Sequence, residues 1–166
     1  MEIRKTRYNE PAATRLNDLV QQEYAERYGD GDATPMAADD FDPPRGLYLV
    51  AYDASGEPVA SGGWRAQDTS PDGHEDGDAE IKRMFVVREA RGRGLARAIL
   101  AELESSAAAA GRTRMVLETG QRQPEAIALY ESCGYVPVKK FGYYRDQDLS
   151  ICLGKSLVPQ EPDAAR

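Results

Sequence analysis

The segment that most restricts how this chain can fold is RMFVVREARGRGLARAILAELESSAAAAG, residues 83–111. Met84 to Val87 form an apolar run with the character of a buried strand. Leu95, Ile99 and Leu103, joined by Ala96 and Leu100, make one apolar helical stripe that Gly111 ends. Between them, REARGRG must turn a strand directly into a helix. Gly92 and Gly94 allow a ligand to approach the backbone closely. The helix start presents unpaired N–H groups and the positive end of the helix dipole. Arg88, Arg91, Arg93 and Arg97 surround this turn, opposed nearby only by Glu89. Yet the whole chain carries 28 Asp and Glu against 21 Lys and Arg, a net charge of -7. The local sign opposes the global one, so the turn reads as an anion site, and phosphate is the usual anion.

The remaining pattern mixes strands and helices. MEIRKTRY reads as a first strand, followed by a helix from Pro11 to about Tyr28 with Leu16, Leu19, Val20 and Tyr24 at helical spacing. GDGDATPMAADDFDPPRG is a loop with room for a short helix around Met36 to Phe41. LYLVAYD and PVASGGWRA flank ASGE as a hairpin. QDTSPDGHEDGDA is a polar loop, and EIKRMFVV and RMVLETG are strands. A helix opens at Pro124 and closes at Gly134. YVPVKKF and LSICLGKSL form a last strand pair. The length of 166 residues suits a single domain, expected over 1–158, with 159–166 as a flexible tail.

Composition narrows the function classes. The acidic balance argues against a nucleic-acid partner, which needs a basic face. No apolar run approaches the roughly 20 residues of a membrane span, so no membrane partner is expected. The start, MEIRKTRYNEPAA, lacks the apolar core of a signal peptide. Cys133 and Cys152 make neither a disulfide framework nor a zinc pattern and read as packing residues. His74, the only histidine, stands in an acidic loop without a second ligand at metal spacing. These features point to a reduced, cytoplasmic protein that needs no metal.

A dinucleotide fingerprint would require a third glycine where Arg97 stands, and an early position in a parallel βαβ unit. A different set of motifs matches. Arg91, Gly94 and Ala96 fit Arg/Gln-x-x-Gly-x-Gly/Ala, an acid (Glu80) opens the preceding strand, and ALYESCGY occupies 128–135. On these residues the chain resembles the GNAT superfamily of acetyl-CoA-dependent N-acetyltransferases over about 79–136. Arg88 departs from the pattern, since relatives often have proline there.

The resemblance implies an α/β (α+β) fold. Its central sheet is mixed and mostly antiparallel, with about seven strands flanked by about four helices, and it is splayed at the acetyl-CoA site. It implies direct acetyl transfer from acetyl-CoA, the co-substrate, to a primary amine. Met84, Phe85 and Val86 would meet the pantetheine arm through their backbone, with the Val86 amide available as an oxyanion donor. The loop Arg91, Gly92, Arg93, Gly94, Leu95, Ala96 and Arg97 would take the pyrophosphate. Gln123 stands where relatives often touch pantetheine with an asparagine. Glu80, and second to it Glu118, match positions for a general base, and Tyr130 matches the general acid. Read without the resemblance, the two glutamates are strand-end charges, and Tyr130 is a core aromatic in helical register with Ile127 and Cys133.

The acceptor side would be built by the first helical region, the hairpin and the last strand pair. Tyr24, Tyr28, Tyr143 and Tyr144 fall there, as do Asp30, Asp32, Asp39, Asp40 and Asp42. Such an acidic rim would attract a cationic amine. The acceptor is a small molecule first and a protein amine second, and the chain is a monomer or homodimer. The competing class is a non-catalytic acyl-CoA-binding module using the same loop.

Overall fold

The computed structural model describes residues 1–158; the tail expected at 159–166 lies outside the described residues. Seven strands form one sheet: β1 (Glu2–Thr6), β2 (Gly46–Tyr52), β3 (Pro58–Gln67), β4 (Asp78–Val86), β5 (Arg114–Gly120), β6 (Val136–Pro137) and β7 (Ser150–Ser156). Their spatial order is β1-β2-β3-β4-β5-β7-β6. Only β4 and β5 pair in parallel, and every other neighbouring pair is antiparallel. The mixed, mostly antiparallel sheet expected from the sequence is therefore present.

The helix count needs correction. Among the described residues three α-helices form, α1 (Pro11–Tyr28), α2 (Leu95–Ala109) and α3 (Pro124–Ser132), rather than about four. The short helix expected near Met36 is a single 3₁₀ turn, Ala38–Phe41. Pro43 and Pro44 follow at once, and proline disfavours a helical conformation in the residue before it. The penultimate strand also shrinks, to Val136–Pro137, because Pro137 offers no N–H to a ladder.

Strand alternation explains how both sheet faces are covered. Leu47, Leu49 and Ala51 of β2 join Ile99, Leu100 and Leu103 of α2 and Tyr130 of α3 in one core. Tyr48 and Val50, pointing the other way, pack with Ala13 and Leu16 of α1 and with Phe41. A strand covered on both faces reads as a continuous apolar run, as LYLVAY does. The same alternation sends Ala79 and Ile81 of β4, and Met115 and Leu117 of β5, to the α2–α3 side. Glu80, Lys82 and Glu118 therefore face the α1 side.

Two irregularities shape the sheet centre. The parallel pairing of β4 with β5 covers only Asp78–Arg114, Ala79–Met115 and Glu80–Val116. Beyond it β5 stays registered with β7 as far as Gly120–Ser150, while β4 stays with β3. The strands diverge and leave a gap. Inside β4 the register with β3 slips between Ser61–Phe85 and Gly63–Lys82. Arg83 there has φ 59°, the left-handed region rare for a side-chain-bearing residue. This is a β-bulge, which puts two residues against one and re-aims their side chains. Opposite it, Gly62 and Gly63 leave no room for a side chain. A Cβ on Gly63 would lie 2.5 Å from Tyr48 Cδ2 and 2.9 Å from the Leu47 carbonyl oxygen. Gly63→Ala is expected to cost about 1–3 kcal/mol by overpacking, read as a lowered urea midpoint; an unchanged midpoint would show that the bulge region yields freely.

Candidate active site

The gap between β4 and β5 opens a cavity of about 690 Å³. Glu118 reaches its wall from the α1 side of the sheet. Tyr130 reaches it from α3, on the opposite side. Met84 and Gln123 line it as well, as do Lys82 and Arg83. The structure thus brings together Glu118, Tyr130, Met84 and Gln123 from the expected site.

Glu118 is half-buried, and its Oε2 is shut from solvent without a hydrogen-bond partner. Burial raises its carboxyl to about 7; Lys82 works against that rise, and the charges of Asp32 and Glu80 add to it. Tyr130 is 7% exposed, and burial pushes its phenol well above the ordinary value. It stays protonated at neutral pH, so its O–H is available to donate to negative charge that develops beside it. Its ring meets Tyr135 edge-on at 5.8 Å. Gln123 caps the start of α3, and its Oε1 accepts a hydrogen bond from Tyr28 Oη at 3.1 Å.

The strand–helix turn has the open geometry an anion site requires. Gly92 (φ 81°) and Gly94 (φ 78°) are left-handed, and a Cβ on either would meet nothing within 4 Å. No side chain caps α2, so its first N–H groups remain available. Leu95 is buried beneath the turn, whereas Arg93 and Arg97 are exposed. Arg91 braces the loop: Nε donates to the Val86 carbonyl at 2.9 Å and Nη2 to Glu23 at 2.9 Å, with its guanidinium over the Phe85 ring. Arg97 bonds Ser132 Oγ and Cys133 Sγ, tying α2 to α3. Val87 N donates to the Val59 carbonyl. Backbone direction alternates along an antiparallel pair, so the Val86 amide faces the open side.

Glu80 is placed elsewhere. It is 2% exposed and does not line the cavity. Arg65 Nε donates to its Oε1 at 2.8 Å, Gln67 Nε2 donates to the same oxygen at 3.2 Å, and His74 Nε2 lies 3.5 Å from Oε2. Burial alone would raise this carboxyl, but the His74 ring beside it and the charges of Lys82 and Arg65 outweigh it and hold it near 2. His74 is a packed side chain although its loop is acidic. It is 7% exposed, stacked 4.8 Å from Phe141, with Nδ1 at 3.2 Å from Ser70 Oγ. The loop is ordered by its own acids: Asp76 accepts from the Thr69 amide, Asp68 from the Gly77 amide and Asp78 from the Glu75 amide. Short-range capping of this kind leaves no hydrophobic period, so no sequence signal marked His74. Among the described residues no group of His, Cys, Asp or Glu is arranged to hold a metal, and no helix is long and apolar enough to cross a membrane.

The acidic rim also needs revision. Asp32 is paired with Lys82 and Arg83, Asp40 with Arg65, and Asp42 with Arg7. Asp30 accepts from the Gly31 amide. Most of this negative charge is matched within the chain. The four tyrosines expected near the acceptor, Tyr24, Tyr28, Tyr143 and Tyr144, do line the cavity. Cys152 packs with Val116 and Phe141, a packing role as expected.

Residues 13–135 match the Acetyltransferase (GNAT) family. An IAA acetyltransferase of Azospirillum brasilense is 42% identical over 83 residues, covering 50% of this chain and 54% of that one. An uncharacterized N-acetyltransferase of Schizosaccharomyces pombe is 30% identical over 126 residues, 70% of this chain and 72% of that one. The matched part thus spans about half of the bacterial relative and nearly three quarters of the yeast one. Among solved structures, a Klebsiella pneumoniae protein described as an acyl-CoA N-acyltransferase superposes with TM-score 0.75 and 26% identity, covering 95% of this chain and 97% of that one. An aminoglycoside 6'-N-acetyltransferase complexed with coenzyme A shares the fold at TM-score 0.69 and 19% identity, covering 98% and 100%. The chain belongs to the GNAT acetyltransferase family.

The two glutamates should respond oppositely to mutation and to pH. Glu80, held low, adds stability that is present above its ordinary value of 4.5 and is lost as pH falls toward 2. Glu118, held high, adds stability that is present below 4.5 and is lost as pH rises through about 7. Glu80→Gln, which removes one of the two carboxylates paired with Arg65 and leaves Asp40, should therefore cost about 1–3 kcal/mol at pH 7. Glu118→Gln should raise the melting temperature relative to the parent more at pH 8 than at pH 5. Thermal melts at both pH values check this; parent-like stability of Glu80→Gln would contradict the assignment.

Proposed function

We propose that this protein is an N-acetyltransferase that moves the acetyl group of acetyl-CoA directly onto a primary amine, with Glu118 as general base and Tyr130 as general acid. The observation that carries this reading is the gap between β4 and β5, where a carboxyl group with one buried, unpartnered oxygen and a protonated phenol enter one cavity from opposite sides of the sheet. Glu80, ranked first on motif position alone, is reassigned to holding Arg65, Gln67 and His74 in place.

The residues fit a coenzyme A donor. The two left-handed glycines and the uncapped start of α2 suit the pyrophosphate, taken by the amides from Gly92 to Arg97. The backbone of Met84, Phe85 and Val86, beyond the last β4–β5 pair, offers its open edge to the pantetheine arm, and Gln123 stands across the gap. The donor supplies the acyl carbon: its bond to nitrogen forms as its bond to sulfur breaks. The Val86 amide faces the side on which the thioester oxygen gains charge.

The protons are the protein's task. An alkylamine has a pKa of about 10.4, so about one in 10³ is neutral at pH 7. The Glu118 carboxylate accepts the proton that the attacking nitrogen must lose. Near pH 7 it is divided between its two forms, which suits a group that both takes up and releases a proton. Tyr130 gives its proton to the departing sulfur.

Thiol release from acetyl-CoA with a panel of primary amines tests the reading. Steady turnover is expected, rising with pH through about 7 as Glu118 ionises. Glu118→Gln should lower kcat/KM by about 10²–10⁴-fold and abolish that rise. Acetyl-CoA binding without turnover on any amine would select the non-catalytic acyl-CoA-binding module instead.

A further inference from the structure

The bulge at Arg83 does more than bend β4. Successive strand residues normally face opposite sides of a sheet. Here Lys82 and Arg83 both reach Asp32: Lys82 Nζ donates to its Oδ2 at 3.1 Å, and Arg83 Nη1 donates to the same oxygen. The Lys82 and Arg83 side chains are 8% and 3% exposed, and both residues line the cavity. The Arg83 Nε is buried and has no hydrogen-bond partner.

Hydrogen-bonding capacity at this spot is lopsided. Asp32 is saturated: Oδ1 accepts from Thr34 N at 2.9 Å and from Thr34 Oγ1 at 2.6 Å, and Oδ2 takes both cations. It has no capacity left for an ammonium group. Lys82 has three donors and Arg83 five, and each commits one to Asp32. Two buried cations share one carboxylate, and a buried cation is costly unless it is paired. Of the other carboxylates lining the same cavity, Asp30 is solvent-exposed and accepts from the Gly31 amide, while Glu118 is the one with a buried, unpartnered oxygen, Oε2. The cavity is therefore complementary to a molecule with an amine at one end and an anionic oxygen pair at the other. A planar carboxylate suits the arginine fork, which binds such groups through two parallel hydrogen bonds.

We infer that the acceptor is an amine that also carries a carboxylate, the amino-acid class, with Lys82 and Arg83 holding the carboxylate and Glu118 facing the amine. This rests on the acetyl-transfer reading above and names the substrate of that same site. It replaces the expectation of a purely cationic amine, which the paired aspartates do not favour.

The test compares matched sets on the full chain with acetyl-CoA: amino acids, their carboxamides, and the corresponding amines without the carboxyl group. The acids should show kcat/KM about 10–100-fold above their amides, as expected for charge-assisted hydrogen bonds. In Arg83→Gln and in Lys82→Gln that acid-to-amide ratio should fall by about tenfold or more, mainly through KM. Binding on the unaltered protein gives a second readout that needs no variant: carboxylic acids lacking the amine should compete with substrate, and their amides should not. Turnover of amides or plain amines equal to or above the acids overturns the carboxylate assignment and leaves acetyl transfer standing. A ratio unchanged in both variants also overturns it. Absence of turnover on every amine, with acetyl-CoA bound, overturns both readings.

Discussion

The structure depends on a pairing that stops early. β4 and β5 hold together for three residue pairs, Asp78–Arg114 to Glu80–Val116, and then part. The paired end is secured by charge: Arg114 donates through Nε and Nη2 to the two oxygens of Asp78, at 2.7 and 2.8 Å, across the two strands. Such a fork fixes direction as well as distance. β5 then follows β7, and β4 follows β3. Were the parallel ladder to continue in this register, the backbone edge of Met84 to Val86 would be spent on Gly120 to Arg122, and Glu118 and Tyr130 would be separated by a closed sheet. The cavity, the open strand edge and the meeting of the two side chains all follow from that divergence.

Two carboxylates on the same sheet face show how placement sets chemistry. Glu80 lies within the paired region, among Arg65, Gln67 and His74, and is held as a permanent anion near 2. Glu118 lies past the divergence, desolvated and short of partners, near 7. Environments that push two acids apart in this way separate a structural role from a proton-transferring one. The bulge at Arg83 adds the third element, turning two consecutive cations toward one side of the sheet, where regular alternation would have divided them.

The chain of strands and helices was legible in the sequence because each element has a strong period or a clear stop. Leu95, Ile99 and Leu103 mark α2, Pro124 opens α3, and ASGE closes the hairpin. The glycine–arginine turn was legible because its charge contradicts that of the chain. What escaped depends on contacts far apart in sequence. Nothing near Glu80 or Glu118 says which one finds Arg65, because Arg65 is set opposite Glu80 by the β3–β4 register. His74 is buried by a loop that folds on its own aspartates. Asp32 looks like solvent-facing acid until β4 supplies Lys82 and Arg83, 50 and 51 residues away. The bulge left one trace, the paired glycines Gly62–Gly63, which mark a close approach without saying what approaches.

The claim on which the account turns is the protonation of Glu118, and a direct titration reads it. Carboxyl-carbon NMR of the uniformly labelled protein, with Glu118→Gln to assign the resonance, should show this group titrating near pH 7, while the Glu80 resonance stays ionised down to the acid limit of the fold. A Glu118 midpoint near 4.5, the ordinary carboxyl value, would contradict the account and return the base to another group.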